Sequence, residues 1–242
     1  EQWQQAWRVL NISTDGFIRT TDLKHKEKVY EFFKKVYDQG DIYKGEYKGL
    51  YCDGCEGFYL EKDLVQGLCP FHKTVPKTIS EENYFFRLSK YQDALLKHIQ
   101  HHPQFIQPTS RRNEVVSFIK EEGIKDVSIS RPIIEWGIPL PIDPGHTFWV
   151  WFDALVNYIS GAPQFWPASL HLLGKDILRF HCIIWPCMLM SAGYPLPEQL
   201  YVHGFLTVNG QKMSKSLGNA IDPVALSKKY GVDALRYFLL RE

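Results

Sequence analysis

The first regular pattern along the chain is an amphipathic helix, predicted over residues 24–38. Its apolar positions recur at steps of three and four residues, which places them on one face of a helix. Thr21 or Asp22 is suited to cap its start, and Gly40 is suited to end it. The apolar positions are Val29, Phe32, Phe33, Val36 and Tyr37.

The pattern changes over residues 41–79, where short β-type segments are interrupted by glycines. These segments lie at 42–43, 50–51 and 58–59. They indicate a small inserted module. A capping-box pattern at Ser89 then predicts a helix that runs to about His101, and a second helix is predicted over 110–122.

From residue 124 onward, apolar strand-like runs alternate with helical patterns. Strands are predicted at 124–129, 148–151, 170–173 and 200–208, and helices at 154–159 and 176–192. Asp222 and Pro223 are suited to start a further helix. Alternation of this kind is typical of a parallel, doubly wound sheet. The predicted fold class is therefore α/β, with a partial Rossmann-like sheet and a small inserted domain.

Composition narrows the class of protein. The 242 residues are 45% hydrophobic and 14% aromatic, which indicates a folded chain. A net charge of +1 gives no overall basic surface for nucleic acid, so such contacts would be local. No apolar run is long enough to span a membrane, and the polar start resembles no signal peptide. Five unevenly spaced cysteines favour a reducing, cytoplasmic location.

Four side chains have the spacing of a zinc site. Cys52-x-x-Cys55 is followed after thirteen residues by Cys69-x-x-His72. Two tight turns that each aim two ligands at one centre complete a tetrahedron, and four protein ligands indicate a structural Zn²⁺. Coincidental buried thiols, or a redox pair at Cys52 and Cys55, are the alternatives.

A lysine-rich loop near the end of the chain has the chemistry to bind phosphates. The loop Lys212-Met213-Ser214-Lys215-Ser216 lies between Gly210 and Gly218. Its two ammonium groups can neutralise phosphate oxygens and help most where charge grows in a transition state. A solvated basic turn is the alternative.

A second candidate site lies where predicted strands end. Gly174 would let a ligand approach the backbone, and Asp176 is either a ligand contact or a helix cap. Aromatic residues follow both this strand and the strand that ends near Trp151. Two strand ends that both present aromatic residues indicate a shared apolar pocket with a few polar groups.

Taken together, these segments resemble the methionyl-tRNA synthetases, a family of class I aminoacyl-tRNA synthetases. The resemblance runs in order over essentially the whole chain, and the zinc motif lies where that family carries its connective-peptide domain. The matching segments are Gly16 to Thr21, Tyr51 to His72, Trp149 to Ala154, Gly174 to His181, Val202 to Gly204 and Lys212 to Ser216.

The resemblance implies a function and a set of site residues. The implied reaction is activation of L-methionine by ATP, with Mg²⁺, and transfer of the methionyl group to tRNA(Met). The implied methionine pocket consists of Trp151, Tyr158, Ile177, Phe180, His181 and Trp185. The implied ATP contacts are Gly174, Asp176, Arg131 and Lys215, and the implied catalytic residues are Lys212, Ser214 and Lys215.

The resemblance also implies a division of the chain. Residues 1–40 and 131–220 would form two parts of the Rossmann-like catalytic domain. Residues 41–130 would form the connective-peptide insertion, with its zinc knuckle at about 50–75. Residues 221–242 would start a helical region that leads to an anticodon-binding domain.

The chain departs from the family in two respects. A His-Ile-Gly-His-type motif is not in the sequence, and no anticodon-binding domain follows residue 242. We therefore expect a fragment whose own activity is impaired. The alternatives are another class I synthetase, for leucine, isoleucine, valine or cysteine, and a catalytically inactive zinc-containing protein that binds tRNA or has a structural role.

Overall fold

The computed structural model describes residues 2–52, 57–59, 61, 64–70, 72–132, 136–213 and 219–241. Its helices are α1 (Gln2–Val9), α2 (Leu23–Asp38), α3 (Gln92–His101), α4 (Thr109–Glu122), α5 (Val150–Leu155), α6 (Asn157–Gly161), α7 (Trp185–Ala192), α8 (Pro223–Tyr230) and α9 (Val232–Arg241). None of the helices in these ranges is long and apolar enough to cross a membrane.

In the described part of the chain, the strands form four sheets. They are β1 (Ile42–Cys52), β2 (Gly57–Tyr59), β3 (Lys77–Phe86), β4 (Ile106–Gln107), β5 (Val127–Ser128), β6 (Ser130–Pro132), β7 (Pro139–Leu140), β8 (Asp143–Phe148), β9 (His171–Gly174), β10 (Leu200–His203), β11 (Thr207–Val208) and β12 (Gln211–Lys212).

A parallel sheet of order β4-β10-β9 forms the base of the candidate site. Leu200 of β10 pairs with Ile106 on one side and with His171 on the other, and His203 pairs with Gly174. The strand predicted over 200–208 is therefore shorter than expected. Its last residues instead form the separate hairpin of β11 and β12.

A long antiparallel hairpin replaces the short segments predicted between residues 41 and 79. Strands β1 and β3 pair from Ile42 and Phe86 to Tyr51 and Lys77, with β2 and β5 on the outer edges. Gly45 does not break β1, because its missing Cβ leaves room for the ring of Phe85, 3.3 Å from where that Cβ would lie. Gly45 therefore serves packing within one strand.

The strand predicted at 148–151 is wrong. Strand β8 ends at Phe148, Trp149 is extended, and α5 begins at Val150. Aromatic and β-branched residues favour strands only weakly, and packing can override that preference. Here the ring of Phe152 packs against Phe33 and Phe148, which requires the chain to turn into a helix. The helix predicted over 154–159 accordingly divides into α5 and α6.

The helix predicted over 176–192 is present but irregular. It begins as a 3₁₀ turn over Lys175–Ile177, widens to a π-helical turn over Phe180–Ile184, and ends as α7. Pro186 lacks the N–H that would bond to the preceding turn, so the hydrogen-bond ladder shifts there. The widened turn carries two of the predicted pocket residues.

The two predicted helix starts had different outcomes. The Asp222 side chain accepts a hydrogen bond from the Val224 N–H (2.9 Å) and caps α8, as predicted. The capping box at Ser89 is wrong, because Leu88–Tyr91 is a 3₁₀ turn and α3 starts at Gln92. The Ser89 hydroxyl instead donates to the Asp126 carboxylate.

The core lies between α2 and the elements that carry the site. The apolar face predicted for α2 is buried at Val29, Phe32, Phe33 and Val36. Tyr37, in contrast, is 44% exposed. The ring of Phe32 stacks on Trp185, with 5.8 Å between centroids. Helix α2 therefore supports the site from behind.

Candidate active site

Two aromatic rings from different elements form the wall of the candidate pocket. Trp151, in the first turn of α5, stacks on Phe180 of the π-helical turn, with ring centroids 3.8 Å apart and planes 6° apart. Trp149 lies beside them, 5.9 Å from Phe180. Trp151 and Phe180 are both half-buried, so the stacked pair is accessible from one side. Such a surface suits a flat or polarisable apolar group.

A hydrogen-bonded chain of three residues defines the polar part of the pocket. The His181 Nδ1–H donates to the Ile177 carbonyl (2.9 Å), which leaves Nε2 as an acceptor. The Tyr158 hydroxyl donates to that Nε2 at 2.7 Å. The structure thus brings together three residues that the sequence predicted for one pocket.

Burial keeps this chain of residues uncharged near neutral pH. It lowers the pKa of His181, against the smaller opposite effect of the Ile177 carbonyl. It also raises the pKa of Tyr158 to about 12. A pocket whose polar groups are neutral can accept an apolar side chain without leaving a charge unpaired.

The back of the pocket contains Trp185, which the sequence predicted, and two residues that it did not. Trp185 is fully buried, 6.1 Å from the Tyr158 ring. His171 packs edge-on against Tyr158, with centroids 4.2 Å apart, and Trp166 packs against both His171 and Trp185. Alternation along β9 was the available signal, because it buries His171 and Leu173 on the same side.

Asp153 is a further buried residue near the pocket that the sequence did not single out. It is 6% exposed, and its Oδ1 has no hydrogen-bond partner in the described part of the chain. Burial raises its pKa to about 7. A carboxyl group two residues after Trp151 is therefore partly protonated near neutral pH.

The carboxyl ends of β9 and β10 form a polar edge beside the pocket. A Cβ on Gly174 would lie 2.7 Å from the Asp176 Oδ1 and 3.8 Å from the ring of His203. A larger residue at Gly174 would require the Asp176 carboxylate to move, so glycine leaves this edge of the backbone open to approach. Ligands of open α/β sheets bind at this kind of edge. Gly174 and Asp176 thus lie at the same strand edge, and their predicted contact with ATP stays a prediction.

Arg131 is held by local contacts. Its Nη1 donates to the Ser128 hydroxyl and to the Ser130 carbonyl, both at 3.0 Å, beside strand β6. These contacts fix the base of the guanidinium group on the small β6-β8-β7 sheet. Its predicted contact with a nucleotide stays a prediction.

The lysine-rich loop is described only at its start. The β11–β12 hairpin turns through Asn209 and Gly210, both at positive φ, and brings the backbone to Lys212. The side chain of Lys212 and all of Ser214 and Lys215 lie outside the described residues. The predicted roles of the three residues stay predictions.

Three of the four predicted metal ligands lie together at the end of the β1–β3 hairpin. The His72 Nδ1 is 3.8 Å from the Cys52 Sγ and 3.9 Å from the Cys69 Sγ. All three ligand atoms lie within 4.8 Å of one another. Ligands at zinc bond lengths in a tetrahedron are about 3.6 Å apart, so these three residues fit one ion. Cys55 lies outside the described residues.

The two remaining cysteines, Cys182 and Cys187, are buried in the core, as predicted. Burial raises the pKa of the Cys182 thiol to about 12, and it also raises the pKa of Cys187. Both thiols are therefore neutral packing groups, and neither is a reactive thiolate.

The whole chain is similar to known proteins. The family model described as "tRNA synthetases class I (M)" matches residues 1–76 and 62–242. A methionine--tRNA ligase of Caldanaerobacter subterraneus subsp. tengcongensis is 52% identical over 100% of this chain and 39% of its own length. One from Thermosynechococcus vestitus is 54% identical over 99% of this chain and 48% of its own length. The chain thus spans less than half the length of each relative.

Solved structures agree with these relatives. Mycobacterium tuberculosis methionyl-tRNA synthetase in complex with methionyl-adenylate has a TM-score of 0.89 and is 47% identical, over 98% of this chain and 49% of that chain. The apo form of the same enzyme has a TM-score of 0.84. The fold is therefore the Rossmann-like α/β fold of the class I synthetases, and the chain belongs to the methionyl-tRNA synthetase family.

Proposed function

We propose that the whole protein is a methionine--tRNA ligase, which activates L-methionine with ATP and transfers the methionyl group to tRNA(Met). The observation that carries this proposal is the neutral aromatic pocket, in which the Trp151–Phe180 stack faces the hydrogen-bonded pair of Tyr158 and His181. Family membership supports the proposed reaction, and the pocket supports methionine as its amino-acid substrate.

The pocket suits a thioether side chain. Sulfur is polarisable, and each contact with an aromatic ring contributes about 0.3–1.5 kcal/mol. Size alone would separate methionine from a substrate one methylene shorter by only about 1–3 kcal/mol. The hydrogen bond between Tyr158 and His181 also fixes the orientation of the polar groups in the pocket. We assign methionine binding to Trp151, Tyr158, Ile177, Phe180, His181 and Trp185.

The nucleotide part of the site follows from the strand edge and the lysine loop. We assign ATP contacts to Gly174, Asp176, Arg131 and Lys215, and catalytic roles to Lys212, Ser214 and Lys215. The methionine carboxylate attacks the α-phosphorus of ATP, the bond from that phosphorus to the bridging oxygen breaks, and pyrophosphate leaves with the electron pair. Catalysis then consists of alignment and of stabilising the leaving group. Mg²⁺ bound with the ATP supplies further neutralisation of its phosphates.

We also assign one structural Zn²⁺ to Cys52, Cys55, Cys69 and His72. The support is the close approach of the three described ligand atoms, two of them from buried cysteines. The Cys-x-x-Cys and Cys-x-x-His spacings and four protein ligands suit a closed structural site. The ion would hold the tip of the β1–β3 hairpin together.

We also assign an inserted connective-peptide domain with its knuckle at about 50–75. The hairpin that begins at Ile42 and closes at Phe86 supports its start at about residue 41. Within the predicted range 41–130, however, β4 pairs with β10 in the parallel sheet, so that strand is part of the catalytic domain. Residues 1–40 and 131–220 form the rest of the catalytic domain, and 221–242 form the start of a helical region. A cytoplasmic location stays a prediction from the cysteine content.

Methionine-dependent exchange of labelled pyrophosphate into ATP by the whole protein tests this function. We expect exchange with methionine and much slower exchange with leucine, isoleucine, valine or cysteine. Faster exchange with one of these four would indicate a sister synthetase. No exchange, with retained tRNA binding, would indicate an inactive tRNA-binding protein.

The variant Lys215→Ala tests the assignment of the lysine loop. It should slow adenylate formation by about a hundredfold or more, because a donor aimed at developing charge contributes that much. The KM for methionine should stay within about twofold, since Lys215 is assigned to the phosphates alone. Lys125→Ala, outside the site, is the matched control. An unchanged exchange rate in Lys215→Ala would show that the assignment is wrong.

A further inference from the structure

We propose that His171 is a positioning residue for methionine, which holds the ring of Tyr158 where its hydroxyl reaches His181. The proposal rests on the proposed function, because it assumes that Tyr158 and His181 line the methionine pocket. It adds a residue to specificity that does not itself contact the assigned substrate side chain.

The geometry places His171 directly behind Tyr158. The two ring centroids are 4.2 Å apart, and the planes are 89° apart, an edge-to-face contact. The ring of Trp166 also packs against the imidazole of His171, with centroids 6.1 Å apart. The backbone of His171 is fixed as well, because its N–H donates to the Gln199 carbonyl at 2.9 Å in the parallel sheet. The imidazole is thus rigidly placed against Tyr158.

Tyr158 needs such a support because one side of it borders a cavity. A cavity of about 480 Å³ lies beside it, lined by Phe165, Trp166, Leu170 and His171 among others. An aromatic side chain that borders a cavity can rotate toward it unless a directional contact opposes the rotation. Rotation of Tyr158 would break its 2.7 Å hydrogen bond to His181.

Burial of an imidazole at this position has no other evident structural use. His171 is 4% exposed, and its Nε2 has no hydrogen-bond partner in the described part of the chain. A leucine or valine would fill the inward position of β9 without burying an unpaired nitrogen. The flat ring, which can present its edge or face to Tyr158, is the property that those residues lack.

Steady-state kinetics of the whole protein test the proposal. In His171→Leu, we expect the KM for methionine to rise about tenfold, while kcat and the KM for ATP stay within about twofold. Discrimination against norleucine, which has the shape of methionine without its sulfur, should fall by a similar factor. His171→Phe keeps a flat ring and should restore both quantities. His101→Leu, at an exposed position of α3, is the matched control.

Each outcome decides the question. If His171→Leu leaves the methionine KM and the discrimination unchanged, or lowers kcat and raises both KM values together, His171 is a packing residue only. If that variant does not fold, His171→Phe decides, because a methionine KM far above that of the wild type overturns the proposal. A wild-type protein without methionine-dependent exchange overturns the proposed function and this proposal with it. An active wild type with an unaffected variant overturns this proposal alone.

Discussion

The hydroxyl of Tyr158 is the polar group on which the candidate pocket depends most. It is the donor to the His181 Nε2, whose ring is fixed from the other side by the Ile177 carbonyl. His181 is 2% exposed, so water cannot readily replace this donor. An unpaired buried acceptor costs about 1–3 kcal/mol. One oxygen atom therefore sets both the stability and the shape of the pocket.

Tyr158→Phe removes that oxygen and retains the ring. We expect the free energy of unfolding to fall by about 1–2 kcal/mol, because the His181 Nε2 loses its partner. The KM for methionine should rise about tenfold, with little change in the KM for ATP. Urea denaturation and exchange kinetics measure these effects. Tyr230→Phe, at a residue that is 60% exposed, should change neither, and an equal effect there would contradict the interpretation.

His171 makes the stability of the protein depend on pH. Burial, with a smaller contribution from the charge of His181, lowers its pKa from 6.5 to about 4. The unfolded chain therefore binds a proton first as the pH falls. The contribution of neutral His171 to the free energy of unfolding is fully present above pH 6.5. It is lost progressively as the pH falls to about 4, by up to about 3 kcal/mol.

The variant His171→Phe isolates this effect. The titratable groups that face His171, Tyr158 and His181, are retained in the variant, so their own titrations largely cancel in the comparison. Unfolding free energies of both proteins should be measured from pH 8 to pH 4. The wild type should lose stability relative to the variant below about pH 6.5. Parallel curves would show that His171 takes up a proton in the folded state.

At the scale of the elements, a buried carboxylate joins the hairpin to the rest of the protein. Asp41 lies between α2 and β1, and its side chain is 1% exposed. It accepts hydrogen bonds from Lys90 (2.6 Å), Tyr91 and Ser191 (2.7 Å). Burial alone would raise its pKa, but these donors together lower it. The carboxylate thus connects the base of β1, the turn before α3, and α7.

Asp41→Asn keeps the size of the side chain and removes its charge. We expect a loss of about 2 kcal/mol in unfolding free energy, because three donors then share one neutral acceptor. The loss is no larger because half of the Lys90 side chain is exposed, so solvent screens its ion pair with Asp41. Asp38→Asn, at the exposed end of α2, is the matched control and should cost less than about 0.5 kcal/mol. Equal losses in the two variants would show that burial of Asp41 is irrelevant.

How far the sequence predicts these elements depends on where their stability comes from. The α2 helix and the Asp222 cap rest on local signals, periodicity and a side-chain oxygen, and both are confirmed. The strand at 148–151 is wrong because contacts of Phe152 with distant residues decide its conformation. Likewise the Ser89 hydroxyl bonds to Asp126, 37 residues away, and not to its own helix. Local sequence does not contain these contacts.

In the candidate site, too, the residues set by local spacing were predicted and those set by long-range contacts were not. Tyr158, Ile177, Phe180 and His181 are close together as predicted, because their spacing follows from helical turns and their roles follow from the resemblance. His171 and Trp166 were missed. Each lies in a short segment without a motif, and only the folded chain brings them to Tyr158.

At the scale of the whole molecule, the metal site and the buried Asp41 carboxylate lie at opposite ends of a long hairpin. The ligands Cys52, Cys69 and His72 lie near the tip, whereas Ile42 and Phe86 close its base beside Asp41. Ten paired positions of β1 and β3 lie along this length. Ile42 and Phe86 are buried in the core, and Asp41 is hydrogen-bonded to α7, so the base is held by tertiary contacts and local opening at the tip need not reach it.

Removal of zinc should therefore change the tip and spare the pocket. In the whole protein treated with a chelator, we expect amide exchange to accelerate at about 50–75, with protection retained at the base of the hairpin and around Tyr158. The KM for methionine should stay within about twofold, because no described pocket residue contacts the ligands. Metal analysis should find about one zinc per chain in the wild type and in Cys182→Ser, and none in Cys69→Ser. Zinc retained by Cys69→Ser would refute the ligand assignment. A large rise in the methionine KM after chelation would instead show that the metal stabilises the catalytic domain through the hairpin.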